Sequence, residues 1–256
     1  MQNWQMDGAY FDGLPTDPVF AHVFGQARES DADSILHCSF NMVRGDRGAP
    51  ADRVVTSAPD VFDGYFRFTP GEAVHGRVRE TEAMSWYALV RSSDTDIGSA
   101  SDARAPFISN FRQAASRGSA LYFLTNSAIR AQTYDGAGNL TTNVLNLPTG
   151  TANLWRVISW HRYLDAGTWK HRLINHSGDS ASVSGGNNPT PTSMSNDPAI
   201  GAYPIAVGDA FGIYTKHADI GGAICFPGMH DETQRGQVAN VLREVAAQLE
   251  LVELGS

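Results

Sequence analysis

An all-β sandwich closed by one C-terminal amphipathic helix is the fold class this sequence predicts, and three observations carry it. Turn clusters recur between short strand-like runs. In Ile129–Leu147, IRAQTYDGAGNLTTNVLNL, the stretch Tyr134–Asn139 packs two glycines, an Asp and an Asn between runs containing Thr, Val and Leu. Residues that tolerate positive φ or fold the chain back on a local side-chain hydrogen bond, set between β-prone runs, mark a hairpin. The same grammar returns in LWRVISWHRYLDAGTWKHRLINHSG, around Asp165-Ala166-Gly167. A second observation is MSWYALVRSS: Met84, Trp86, Ala88 and Val90 alternate with Ser85, Tyr87 and Leu89, so both sides are largely apolar, as in a central strand covered on two faces. The third is the end of the chain, where Val238, Val241, Leu242, Val245, Leu249 and Val252 fall at helical spacing.

Taken in order, residues 1–33 are interrupted by Gly13, Pro15, Pro18 and Gly25 and read as an N-terminal extension or attachment segment. A sandwich is expected over 34–230. It opens with the strand Ser34–Val43, followed by the polar loop RGDRGAPADR and a short strand in DGYFRFTPG. After the central strand come FISNF, ALYFLT and IRAQTYD, then the second hairpin. The long small-polar segment SGDSASVSGGNNPTPTSMSNDP is, at that length, either a functional loop or a mobile one. DAFGIYTKH and DIGGAICFPG supply the last strands, and a helix covers 231–254, opened by a capping box between Asp231 and Gln234. Its apolar stripe has two readings, docking on its own domain or contact with another subunit.

Composition narrows the classes. The chain has 256 residues, 42% apolar and 18% charged, with 25 Gly and 12 Pro, a loop- and strand-rich profile. A net charge of −8 and the absence of basic runs argue against nucleic acid and anionic membrane surfaces as partners. No segment reaches the length of a membrane span, and the first residues carry no signal-peptide pattern. Cys38 and Cys225 read either as two buried thiols or as a disulfide.

The order DGYFRFTPG … MSWYALVRSS … PFISNF … ALYFLTNSAIRAQTYDGAGNLTT … LWRVISWHRYLDAGTWKHRLINHSG … DIGGAICFPGMHDETQ resembles the concanavalin A-like lectin/glucanase superfamily, in particular its laminin-G-like and pentraxin-like bacterial and phage members. The resemblance spans roughly residues 34–248 and departs from the family pattern at NHSG, where Asn-Gly is usual. It implies a jelly roll of two antiparallel sheets and a protein that binds glycans or other proteins. Glucanases of that superfamily place carboxylates as Glu-x-Asp-x(-x)-Glu on one strand. Only Glu80 and Glu82 in RETEAM come near this, without the intervening Asp. No Gly-x-Ser-x-Gly elbow supports a nucleophile beside His217 and Asp219.

Two sites remain as expectations. Asp94, Asp96 and Asp102 in SSDTDIGSASD offer hard oxygen ligands suited to calcium, against the plainer reading of a solvated acidic turn. In the second hairpin, alternation sends Ile158 and Trp160 inward. His161 and Tyr163 then face outward, joined by His171 and Asn175 from the returning strand and by Trp169 near the turn, as an aromatic plate with polar groups for a sugar. The competing reading packs these five residues under a loop or the terminal helix. The leading expectation is a non-catalytic carbohydrate- or receptor-binding module, outside the cell or on a virion surface, as a component of a phage or phage-like particle. Its partners would be a polysaccharide or cell-surface glycan, with other particle proteins or a second copy of the chain engaged through the extension. The alternatives are an assembly protein that binds other subunits and a polysaccharide-cleaving enzyme with an atypical site.

Overall fold

The structure is a computed structural model that describes residues 14–16, 18, 20–24, 29–30, 58–75, 83–109, 118–134, 139–178, 180–186, 199–201 and 214–248. The strands are β1 (Phe20–Val23), β2 (Asp60–Phe62), β3 (Tyr65–Phe68), β4 (Ala73–His75), β5 (Met84–Arg91), β6 (Ala105–Ser109) and β7 (Ser119–Thr125). They continue with β8 (Ala128–Tyr134), β9 (Leu140–Asn146), β10 (Arg156–Asp165), β11 (Thr168–Asn175), β12 (Ser180–Gly186), β13 (Ala199–Gly201) and β14 (Ala218–Pro227), before helix α1 (Glu232–Gln248). They form two antiparallel sheets. The first is eight-stranded, in the order β12-β11-β10-β5-β14-β3-β2 with β1 paired to β14; the second is six-stranded, in the order β4-β13-β6-β7-β8-β9.

β5 shows why the two sheets and the helix form one body. Met84, Trp86, Ala88 and Val90 enter the core between the sheets, with Phe66, Phe107, Leu121, Phe123, Ile158, Trp160 and Leu173. Tyr87 and Leu89 point the other way and pack with Val238, Ala239, Leu242, Val245 and Ala246 of α1. Each large apolar side chain removed from water contributes about 1.5–3 kcal/mol, so a strand apolar on both faces is strongly driven to this central position. The apolar stripe of α1 is therefore used on its own domain. The capping box forms as the sequence predicts: Asp231 Oδ1 accepts from the Gln234 amide at 2.8 Å, and Gln234 Oε1 accepts from the Asp231 amide at 2.9 Å.

Two sequence expectations change. The segment assigned to an extension contributes β1, which pairs with Gly222–Cys225 of β14 inside the larger sheet. The β10–β11 hairpin has a two-residue loop, Ala166-Gly167, with φ of 48° and 80°, and Asp165 pairs with Thr168. Two positive φ values are the mark of a type I′ turn. Paired residue numbers then sum to an odd number, so Trp160 lies opposite Leu173, and His161 opposite Arg172. A three-residue turn would have aligned His161 with His171; one residue fewer sends them to opposite faces. The predicted strand over Ser34–Val43, Cys38, and Glu80 and Glu82 lie outside the described residues, and Cys225 is fully buried.

Candidate functional site

The five residues proposed from the hairpin do not share a surface. His161 and Tyr163 lie on the helix-covered face of the eight-stranded sheet, whereas Trp169, His171 and Asn175 lie on the face turned toward the six-stranded sheet. All five are buried, with exposures of 7% or less. Register accounts for the separation, and packing accounts for the burial.

His161 sits in a chain of polar groups. Its Nδ1 is 2.8 Å from Ser85 Oγ and its Nε2 2.8 Å from Ser159 Oγ, which is itself 2.8 Å from His176 Nε2. Ser85 Oγ donates to Gly228 O, an atom that can only accept, and receives the His230 amide. The proton directions follow from that end: His161 Nδ1–H donates to Ser85, Ser159 donates to His161 Nε2, and His176 Nε2–H donates to Ser159. The Tyr87 hydroxyl is hydrogen-bonded to His230 Nδ1 at 2.9 Å. Burial holds the His161 imidazole well below its ordinary pKa and brings His230 down to about 4. This network ties α1 and the loop before it to the sheet, and it leaves no ring face for a sugar.

Tyr163 lies beneath the Arg172 guanidinium, 5.9 Å from its ring centroid. His171 has both ring nitrogens buried without a hydrogen-bond partner, and burial, then the Arg162 charge, pulls it down to about 3. Asn175 uses its Oδ1 on the Ser177 amide. Elsewhere on the eight-stranded sheet, Asp219 is fully buried between two arginines: Arg67 Nε reaches Oδ1 at 2.7 Å, and Arg91 Nε reaches Oδ2 at 3.0 Å. Arg91 also stacks over Trp155 and Tyr65, and Arg67 over Phe62.

The acidic loop is tied to the chain just before β14. Asp94 Oδ2 accepts from the His217 amide at 2.8 Å and lies 3.0 Å from its Nδ1, while Asp96 pairs with Lys216 at 2.6 Å. Asp102 accepts the Thr215 and Arg104 amides through its backbone carbonyl. Among the described residues no group of three or more His, Cys, Asp or Glu converges as a metal-ligand set. The three aspartates that the sequence suggested for calcium therefore do not come together; two of them serve as partners for a histidine and a lysine.

A different surface gathers the groups that sugar recognition requires. On the outer face of the six-stranded sheet, register places Tyr122 of β7 opposite Arg130 of β8, which lies opposite Val144 of β9. The next row is Ala120, Gln132 and Thr142, and the row after it pairs Tyr134 with Leu140. Tyr214 packs on Tyr122 with ring centroids 5.7 Å apart, and Leu124 and Tyr134 complete the cluster. Tyr122 donates to Gln132 Oε1 at 3.0 Å, and Arg130 Nη1 reaches the Tyr122 oxygen at 3.5 Å. Tyr122 and Gln132 are buried supports, Arg130, Tyr134 and Tyr214 are half-buried, and Thr142 and Leu140 are exposed. Burial raises the phenols of Tyr122 and Tyr214, so both remain hydroxyl donors at neutral pH. Sequence reading passed over this face although its signal was present: Arg130, Gln132 and Tyr134 alternate with Ile129, Ala131 and Thr133 in the first hairpin.

No protein-family model matches the chain, and no curated protein is detectably similar to it in sequence. Solved structures are similar in fold. The botulinum neurotoxin serotype G binding domain superposes with a TM-score of 0.57 at 13% identity, over 89% of this chain and 51% of its own. The serotype C1 binding domain gives 0.53 at 9% identity, over 88% and 52%. The CBM40 of the Ruminococcus gnavus IT-sialidase, bound to α2,3 sialyllactose, gives 0.47 at 10% identity, over 63% and 83%. The chain thus spans about half the length of the neurotoxin binding domains it resembles. At these identities the likeness is one of fold.

Proposed function

We propose that this chain is a non-catalytic carbohydrate-binding module whose glycan site is the outer face of the six-stranded sheet. The observation that carries the reading is the row structure of that face, in which Tyr134 and Tyr214 flank Arg130 and Gln132 around a buried Tyr122. Half-buried phenol rings supply a flat apolar surface for the less polar side of a pyranose, and the guanidinium, amide and hydroxyls supply directional contacts to its oxygens. Strands β6 to β9 contain no Asp or Glu, so among the described residues of these strands the two-carboxylate arrangement of most glycosidases finds no acid. That supports binding over cleavage on this face. We place the module outside the cell or on the surface of a phage-like particle. Among the described residues no helix is long and apolar enough to cross a membrane.

The test is binding to an array of bacterial surface polysaccharides and host oligosaccharides, with calcium and with chelator, together with an assay for new chain ends. Retention without cleavage is expected, and Tyr214→Ala should weaken it at least tenfold with little change in melting temperature. Wild-type affinity in Tyr214→Ala and in Tyr134→Ala would remove this face from consideration. Release of chain ends would make the protein an enzyme. Loss on chelation would return the Asp94 loop to consideration as a metal site.

A further inference from the structure

We infer that the ligand of this face is an acidic sugar whose carboxylate is received by Arg130 and Arg104, an inference that rests on the glycan reading above. It starts from charge. The six strands of the sheet, as described, carry no carboxylate, and Arg130 is their one Lys or Arg. Among the described residues the side chain of Arg130 makes a single long hydrogen bond, to the Tyr122 oxygen, and its buried Nε finds no partner. Arg104, immediately before β6, gives Nη1 to the Ala100 and Ala103 carbonyls. Among the described residues neither guanidinium has a carboxylate partner.

The two arginines act on one place. Register brings them to the same tyrosine: Arg130 pairs directly with Tyr122, and Arg104 immediately precedes Ala105 and Pro106, which pair with Phe123 and Tyr122. A half-buried cation without a counter-ion is costly, and a ligand that brings the missing negative charge relieves that cost on binding. A guanidinium also presents paired N–H groups that match the two oxygens of a carboxylate. The arrangement stands out in a chain of net charge −8, which would otherwise repel anions at long range. Arg67 and Arg91 on the other sheet provide the contrast, since their guanidiniums already hold Asp219 between them.

Matched ligands test the inference. Oligogalacturonates, oligoglucuronates and sialylated oligosaccharides would each be titrated beside their own methyl esters, which keep the ring and remove the charge. The free acids are expected to bind at least tenfold tighter than the esters, with the preference shrinking as salt rises. Arg130→Gln should abolish that preference while the melting temperature holds, Arg130→Lys should retain part of it, and Arg104→Gln should weaken it. Equal binding of acid and ester would overturn the acidic class and leave the glycan reading standing. An acid preference that survives in both Arg130→Gln and Arg104→Gln would overturn the assignment of these arginines. Binding to neither member of any pair, nor to any neutral glycan, would overturn both readings.

Discussion

The outer faces of the two sheets handle polar groups in opposite ways. On the eight-stranded sheet the polar groups close on one another. Asp219 is clamped by Arg67 and Arg91, His161 is bridged by two serines, and Tyr87 is bonded to His230, all beneath or beside α1. On the six-stranded sheet the guanidiniums of Arg130 and Arg104 have no carboxylate partner among the described residues, and tyrosine rings remain partly accessible. Groups satisfied within the fold serve stability, whereas groups held in place with bonding capacity left over mark the surface where a ligand is expected.

Acidification should produce the largest effect, because it acts on the closed face. His230 is held at about 4 against an ordinary 6.5, so below pH 6.5 the unfolded chain takes up protons that the folded chain refuses. Its contribution is complete above pH 6.5 and is lost as pH falls toward 4, the loss amounting to about 2 kcal/mol by pH 5. His161 and His171 shift in the same direction and deepen the loss. Melting temperature measured from pH 7.5 to pH 4 should fall by several degrees or more; a flat profile would mean that these imidazoles are not buried neutral.

Asp219→Ala comes next. It strands two guanidiniums over one sheet and should cost about 3 kcal/mol in urea unfolding, near the lower end for a broken buried pair because both arginines are partly exposed. Asp231→Ala removes the capping box of α1 and should cost about 1 kcal/mol, with the loss seen first as faster amide exchange in the helix. Smallest of all is Arg130→Met, which removes a buried, unpartnered Nε and should leave the melting temperature unchanged or slightly raised. A large destabilisation there would make Arg130 a structural residue and erase the contrast between the two faces.

The sequence made the sandwich legible where a local rule has one solution. The two-sided apolarity of β5 and the Asp231–Gln234 cap each have a single physical reading, and each forms as expected; of the two readings open for the stripe of α1, the described part of the helix takes the one in which it packs on its own domain. The candidate site was less legible because it depends on register. Whether the turn after Asp165 has two residues or three decides which histidine faces which sheet, and composition around Ala166-Gly167 suits both. The calcium expectation failed to gather its ligands for another reason: Lys216 and His217, more than a hundred positions away in sequence, take up Asp96 and Asp94. Arg130, Gln132 and Tyr134 were readable as one side of a strand. What could not be read was that Tyr214, from the far end of the chain, completes them.

β1 has a practical consequence. It lies against Gly222–Cys225 and covers backbone groups of β14 that would otherwise form a bare edge. Trimming the chain to begin near residue 30 for production would expose four residues of an apolar strand, and the shortened protein is expected to self-associate in size-exclusion runs. A synthetic peptide of residues 18–24 added during refolding should restore the monodisperse form, so production of the domain should start upstream of Pro18.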